Sequence, residues 1–153
     1  MSTRQFVTFS VGGLLAGLDV RNVREINRLP EITPVPRAPA FVRGLVNLRG
    51  QTVTVFDLGA CLAVGRCLLS EESRNVVLKA DAVGLLVDRV GDVVRAEGGE
   101  VEPPPANAAE IDAELVEGVV QLPEDLLLIL SVPRLLDPAR LRAPAQPPSG
   151  ARS

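Results

Sequence analysis

Short valine-rich segments, in which apolar and polar residues alternate between Gly and Pro breaks, predict an all-β fold, a barrel or a sandwich. An internal echo points the same way. Gly17-Leu18-Asp19-Val20-Arg21-Asn22-Val23 and Gly84-Leu85-Leu86-Val87-Asp88-Arg89-Val90 both fit Gly-Leu-x-Val-x-x-Val, 67 residues apart. One strand-then-turn unit in each half suits two related small barrels. The length agrees: 153 residues make one domain or two small lobes folded as a unit, a size that buries on the order of 70% of its unfolded surface.

Residues 4–20 read as a β-hairpin. Val7, Phe9 and Val11 alternate with Thr8 and Ser10, Gly12-Gly13 supplies the turn, and Leu14, Ala16, Leu18 and Val20 alternate in the returning strand. Val20, Val23 and Ile26 then recur every third residue, which suits a helical turn leading into another strand. Pro30, Pro34, Pro36 and Pro39 forbid a long helix and demand an extended, exposed connection. Residues 51–58 alternate again, Val53 and Val55 on one face and Thr52, Thr54 and Phe56 on the other. Val76-Val77-Leu78 and Val83–Val87 give two more strands, followed by Val90, Val93 and Val94; Pro103-Pro104-Pro105 then breaks the chain. The unbroken Leu-Leu-Leu-Ile-Leu of residues 126–130 reads as a strand covered on both faces. A short closing helix is expected around Arg134–Leu136, and residues 138–153, rich in Pro, Ala, Arg and Ser, are expected to be a disordered tail after a domain spanning 1–137.

Composition excludes most chemistry. There is no histidine, which removes the commonest general base, the imidazole metal ligand and every Ser-His or Cys-His pair. Ser10, Ser70, Ser73 and Ser131 therefore lack a partner for a hydrolase, and Asp88 with Asp92 would be an acid/base pair with nothing to act on. Lys79 is the only lysine and no P-loop exists. Cys61 and Cys67, with five residues between them, match no zinc or redox spacing and read as small buried hydrophobes in a reducing cytoplasm. No cofactor or metal is expected. A net charge of −3 and the absence of Trp and Tyr argue against a barrel that binds single-stranded nucleic acid, the remote alternative. No apolar run approaches a signal peptide or a membrane span, so the expected location is cytoplasmic.

The most unusual stretch is Phe41-Val42-Arg43-Gly44-Leu45-Val46-Asn47-Leu48-Arg49-Gly50, followed by Gln51-Thr52-Val53-Thr54-Val55-Phe56-Asp57-Leu58. Gly44 and Gly50 bracket a short apolar strand containing Asn47 and Arg49, and suit positive φ or close backbone approach. Arg49 must pair or reach a surface. It either pins two strands through Glu25 or Asp57, or anchors a partner, as arginines at interfaces do. Asp57 and Asp88 read as acceptors for local backbone donors at strand ends.

With these pieces in order, the chain resembles the CheW family, the receptor-coupling adaptors of bacterial chemosensory arrays. The resemblance runs from Gln5 to Leu136. It rests on Gly17-Leu18-Asp19-Val20 with Val23 and Glu25-Ile26, Phe41-Val42-x-Gly44, Asn47-Leu48-Arg49-Gly50, Val55-Phe56-Asp57-Leu58, Gly84-Leu85-Leu86-Val87-Asp88-x-Val90-x-Asp92-Val93, Ile111-Asp112, Gly118 and Leu127–Leu130. It implies two small five-stranded SH3-like barrels packed side by side, both termini contributing to the first, and no catalysis or cofactor. It also implies a groove between the barrels that grips the helical tip of a methyl-accepting chemoreceptor, and a second partner in the regulatory domain of a histidine kinase. Association with other CheW-like proteins and with chemoreceptor clusters follows from the same resemblance. Carried over residue by residue, Val23, Glu25, Gly44, Arg49 and Val93 fall in the receptor groove, and Asn47, Gly50, Asp57 and Asp88 belong to the structural motif. For Val23 and Val93, plain core packing is the competing expectation.

Three departures stand out. The segment Asn75–Gly84 is about four residues shorter than is usual in the family, Ala16 replaces an aromatic residue, and Gly59 replaces an arginine. They suggest a divergent member, such as an accessory adaptor of the FrzB kind that keeps receptor binding and has weakened kinase binding.

Overall fold

The computed structural model describes residues 3–104 and 113–137. Strands β1 (Thr3–Val11) and β2 (Leu14–Asp19) form the expected hairpin, turned by Gly12 and Gly13 at φ 55° and 84°, the left-handed pair that matches strand twist. Asp19 caps a 3-10 turn over Val20–Asn22 by accepting from the Arg21 backbone N–H, and β3 (Val23–Asn27) follows. The proline-rich segment is extended and touches β4 (Val42–Leu48) through a backbone bridge between Thr33 and Leu45. After β4 come β5 (Gln51–Asp57), the short helix α1 (Leu58–Cys61), β6 (Arg74–Leu78), β7 (Val83–Val87) and β8 (Arg89–Glu97). The chain closes with β9 (Val101–Glu102), β10 (Val116–Gln121), β11 (Leu126–Leu130) and the short helix α2 (Val132–Leu135).

The strands form two mixed sheets side by side, as the expected all-β fold requires: β3-β6-β7-β5-β4 with the five strands foreseen, and β8-β1-β2-β11-β10-β9 with six, because the short β9 adds to its edge. Each sheet takes a hairpin from one half of the chain and its remaining strands from the other. β1 and β2 are completed by β8, β9, β10 and β11, while β6 and β7 are completed by β3, β4 and β5. The two halves correspond element by element. In each, a hairpin is followed by a strand that crosses to the other sheet, a bulged hairpin and a capped helical turn. The last strand of each bulged hairpin pairs in parallel with a first-hairpin strand of the other half, β11 with β2 and β5 with β7. The Gly-Leu-x-Val-x-x-Val echo marks the two crossing points, at β2 into β3 and β7 into β8.

Alternation along the strands divides the core. Val7, Phe9, Ala16, Leu18, Phe56, Val76, Leu78, Leu85, Leu128 and Leu130 meet in one cluster shared by both sheets. The alternate residues turn to private clusters, Val53, Val55, Val77 and Leu86 in the second sheet and Phe6, Leu127 and Ile129 in the first. The Leu126–Leu130 run is apolar without a break because both faces of β11 are covered. Ala16, in place of an aromatic residue, is fully buried in the shared cluster.

Several expectations need correction. Arg49 lies outside the strand: it is the first residue of the β4–β5 turn, at φ 50° with Gly50 at 83°. A two-residue turn of this twist needs positive φ at both positions, and Asn47 supports it by accepting from the Gly50 N–H at 3.1 Å. Residues 89–97 form a full strand, and the two-residue β9 was not foreseen. The closing helix begins earlier than Arg134, because Ser131 accepts from the Arg134 N–H and Pro133 fits the first turn. Pro105, Ile111, Asp112 and the expected tail at 138–153 lie outside the described residues.

Candidate partner-binding surface

β3 and β4 are the two edges of the second sheet, and side chains link them where backbone ladders do not. The Arg49 guanidinium, at the tip of the β4–β5 hairpin, donates to the Glu25 carboxylate on β3. Arg24 donates to the Gln51 side chain at 2.7 Å, doubling the connection. The Arg49 hydrogen bond holds the Glu25 carboxyl below its ordinary range, helped by Asn27 and the charges of Arg49 and Arg24 and opposed by partial burial. Glu25 in turn pushes the Arg49 guanidinium up. The pinning contact foreseen for Arg49 is therefore present, through Glu25, yet the Arg49 side chain remains 69% exposed. Ile26, next along β3, is also exposed, whereas Val23 is half-buried against the shared core.

Behind this edge, the conspicuous motif residues are structural. Gly44 is buried at a bulge with φ 145°, and a Cβ there would run into Ile32 and the Thr33 backbone. Its part is to let the proline-rich segment cross, and it lies buried behind the edge with no side chain of its own to present, unlike the other residues expected in the groove. Asp57 is fully buried and caps α1 through the Ala60 N–H at 3.1 Å, accepts from the Cys67 N–H at 3.1 Å, and pairs with Arg43 at 2.8 Å. Arg43 also donates to the Cys67 carbonyl at 2.9 Å. Arg43 was missed in the sequence because the bulge between Val42 and Gly44 decides which way it faces. Gly59, in place of an arginine, packs against the Gly65 carbonyl, so no side chain fits there.

On the first sheet, β8 is an edge strand and Val93 stands 52% exposed on it, so core packing is not its role. Val23 and Val93 lie on edges of different sheets and are not ladder neighbours. Asp88 accepts from the Gly12 N–H at 2.9 Å, tying the second crossing point to the first hairpin. Both cysteines are buried, as expected for small core residues. Burial, then hydrogen bonding and charge from Asp88 and the charge of Asp57, push the Cys67 thiol up to about 12, which disqualifies it as a nucleophile at neutral pH. No helix among the described residues is long and apolar enough to cross a membrane.

One surface feature went unread. Leu68 and Leu69 are 84% and 55% exposed, beside a groove of about 380 Å³ that Leu29, Pro30, Ile32, Leu69 and Glu71 help to line. The signal was available, since these leucines precede Ser70-Glu71-Glu72 and belong to no alternating run.

Comparison with known proteins matches residues 5–140 to the CheW-like domain. Protein FrzA of Myxococcus xanthus is 32% identical over 147 residues, covering 94% of this chain and 91% of the relative. Chemotaxis protein CheW of Treponema pallidum is 29% identical over 144 residues, with 90% and 85% covered. Among solved structures, the scaffolding protein TtCheW from Thermoanaerobacter tengcongensis superposes with a TM-score of 0.78 at 31% identity, covering 86% of each chain.

Proposed function

Because the chain belongs to the CheW-like family, a family of chemotaxis scaffolds and not enzymes, we propose that it binds the helical tip of a methyl-accepting chemoreceptor and couples or tunes a histidine kinase. On this reading it works in the cytoplasm, at chemoreceptor clusters. The observation that carries the reading is the Glu25–Arg49 pair, an ion pair presented to solvent on the edge of the second sheet with Ile26 exposed beside it. A helical hairpin recognised there meets an apolar anchor and a charge pair that fixes its register. Val23, half-buried behind the pair, and Val93, exposed on the other sheet, extend the receptor surface.

Two versions differ in the kinase. In the first, the chain is a conventional coupling adaptor that also engages the kinase regulatory domain. In the second, it is an accessory adaptor with weakened kinase binding. The short β6–β7 connection favours the second, because residues 79–82 alone join the strands and leave little edge for docking. Calorimetric titration of the protein with a receptor signalling hairpin, and separately with the kinase regulatory domain, decides. Binding to both establishes the coupling version and binding to the receptor alone the accessory one; binding to neither overturns the proposal.

A further inference from the structure

Four of the nine ladders among the described strands join the two halves of the chain: β1 to β8, β2 to β11, β3 to β6 and β5 to β7. Within the half that ends at Cys61, only the β1–β2 and β4–β5 hairpins pair, and β3 has no partner. Within the half that begins at Arg74, β6 pairs with β7, and β10 with β9 and β11, while β8 has none. Neither half can cover its own strands. The covalent link between them is residues 62–73, and no described strand includes any of it.

That link turns back on itself. Ala63 sits at φ 63° and Gly65 at 104°, and a non-glycine residue in that region is held there by its surroundings. The Val64 N–H donates to the Gly59 carbonyl, and Cys67 is gripped at its N–H by Asp57 and at its carbonyl by Arg43. Leu68 to Glu72 are exposed. The ladders and the shared core require the second half to be present, and nothing in them requires it to come from the same chain.

We propose that a second copy of this chain completes the fold in trans, each copy lending its half from β6 onward to the other. The exchanged dimer repeats the same ladders and core, with links that run between molecules and release the strained turn at Ala63. The single-copy form is favoured in dilute solution by the short link, which keeps the two halves at high effective concentration. A crowded refolding mixture favours exchange. The dimer would carry two copies of the Glu25–Arg49 edge.

The test uses the full chain in isotopically heavy and light forms and native mass spectrometry. If the halves exchange, unfolding both forms together and refolding them at high concentration yields heavy–light dimers in the proportions of random pairing. Mixing the folded forms yields none. Monomers alone after joint refolding, or dimers that scramble on simple mixing, overturn the proposal. Deleting residues 63–69 removes the turn-back, and the variant is expected to be predominantly dimeric with native circular dichroism. A monomeric, natively folded deletion variant also overturns it, and if that variant does not fold, the wild-type experiment decides alone.

Discussion

At the scale of single residues, charge placement separates what faces a partner from what holds the protein together. Arg49→Ala removes a side chain that is mostly exposed, so the thermal midpoint is expected to be unchanged, while receptor affinity falls by roughly tenfold or more, the loss typical of an interface arginine. The Glu25 carboxyl then titrates closer to its ordinary value, which NMR can follow directly. Unchanged affinity with the fold intact would remove Arg49 from the binding surface. Asp19 is the opposite kind of carboxylate. Its hydrogen bond to Arg21, with further ones to the Arg21 backbone and Arg4, outweighs burial and lowers its pKa from 3.8 to about 2. A depressed carboxylate contributes stability above its unfolded value and loses it as the pH falls. About 2 kcal/mol is therefore expected to disappear between roughly pH 4 and pH 2. In Asp19→Asn, urea unfolding should lose that increment already at neutral pH and show a flatter acid limb. The Glu25–Arg49 pair was legible in the sequence, as one of two carboxylates within reach of an arginine that had to pair. The Arg43–Asp57 pair was not, because alternation cannot show that a bulge between Val42 and Gly44 turns Arg43 toward a buried carboxylate.

At the scale of elements, nearly every strand could be read from period-2 alternation and from Gly and Pro breaks, and the failures have local causes. The β4–β5 turn was misplaced by one residue because arginine at positive φ leaves no compositional mark, and only Gly50 announced the turn. The strand at 89–97 was underestimated because it is an edge strand, largely exposed and carrying Arg89, Asp92 and Arg95 among its valines. Beyond the first hairpin, which strand pairs with which was not legible, since alternation states that a face is buried and not what buries it. Helix α1 shows how one residue can organise several elements. Asp57→Ala removes its cap, uncovers the Cys67 N–H and leaves Arg43 buried with its charge unmatched. A loss of about 3–5 kcal/mol is expected in urea unfolding. Asp57→Asn, which keeps an acceptor for α1 and Cys67, should lose less. Equal losses in the two variants would show that the Arg43 charge pair contributes little beyond the hydrogen bonds. Gly44→Ala places a Cβ against Ile32 and the Thr33 backbone at a φ that alanine disfavours, and about 1–3 kcal/mol is expected to be lost, with receptor affinity per folded molecule unchanged.

At the scale of the whole molecule, two barrels with one common core behave as one unit. Phe9, Leu18, Phe56, Leu78, Leu85 and Leu130 come from both sheets and pack in the same cluster. Unfolding followed by far-ultraviolet circular dichroism and by exposure of the buried cysteines should therefore give coincident transitions. Separate transitions would mean that each barrel holds without the other. The echo of Gly17–Val23 in Gly84–Val90 foretold two related units, and the exchange of strands between them was hidden because it depends on pairings far apart in sequence. The same pairing has a consequence during synthesis. Strand β2, complete at Asp19, borders β11, which begins only at Leu126. At translation speeds of about 5–20 residues per second, its open edge waits on the order of 5–20 seconds for that neighbour to leave the ribosome. Through that interval the nascent chain offers a bare hydrophobic strand to whatever else is in reach.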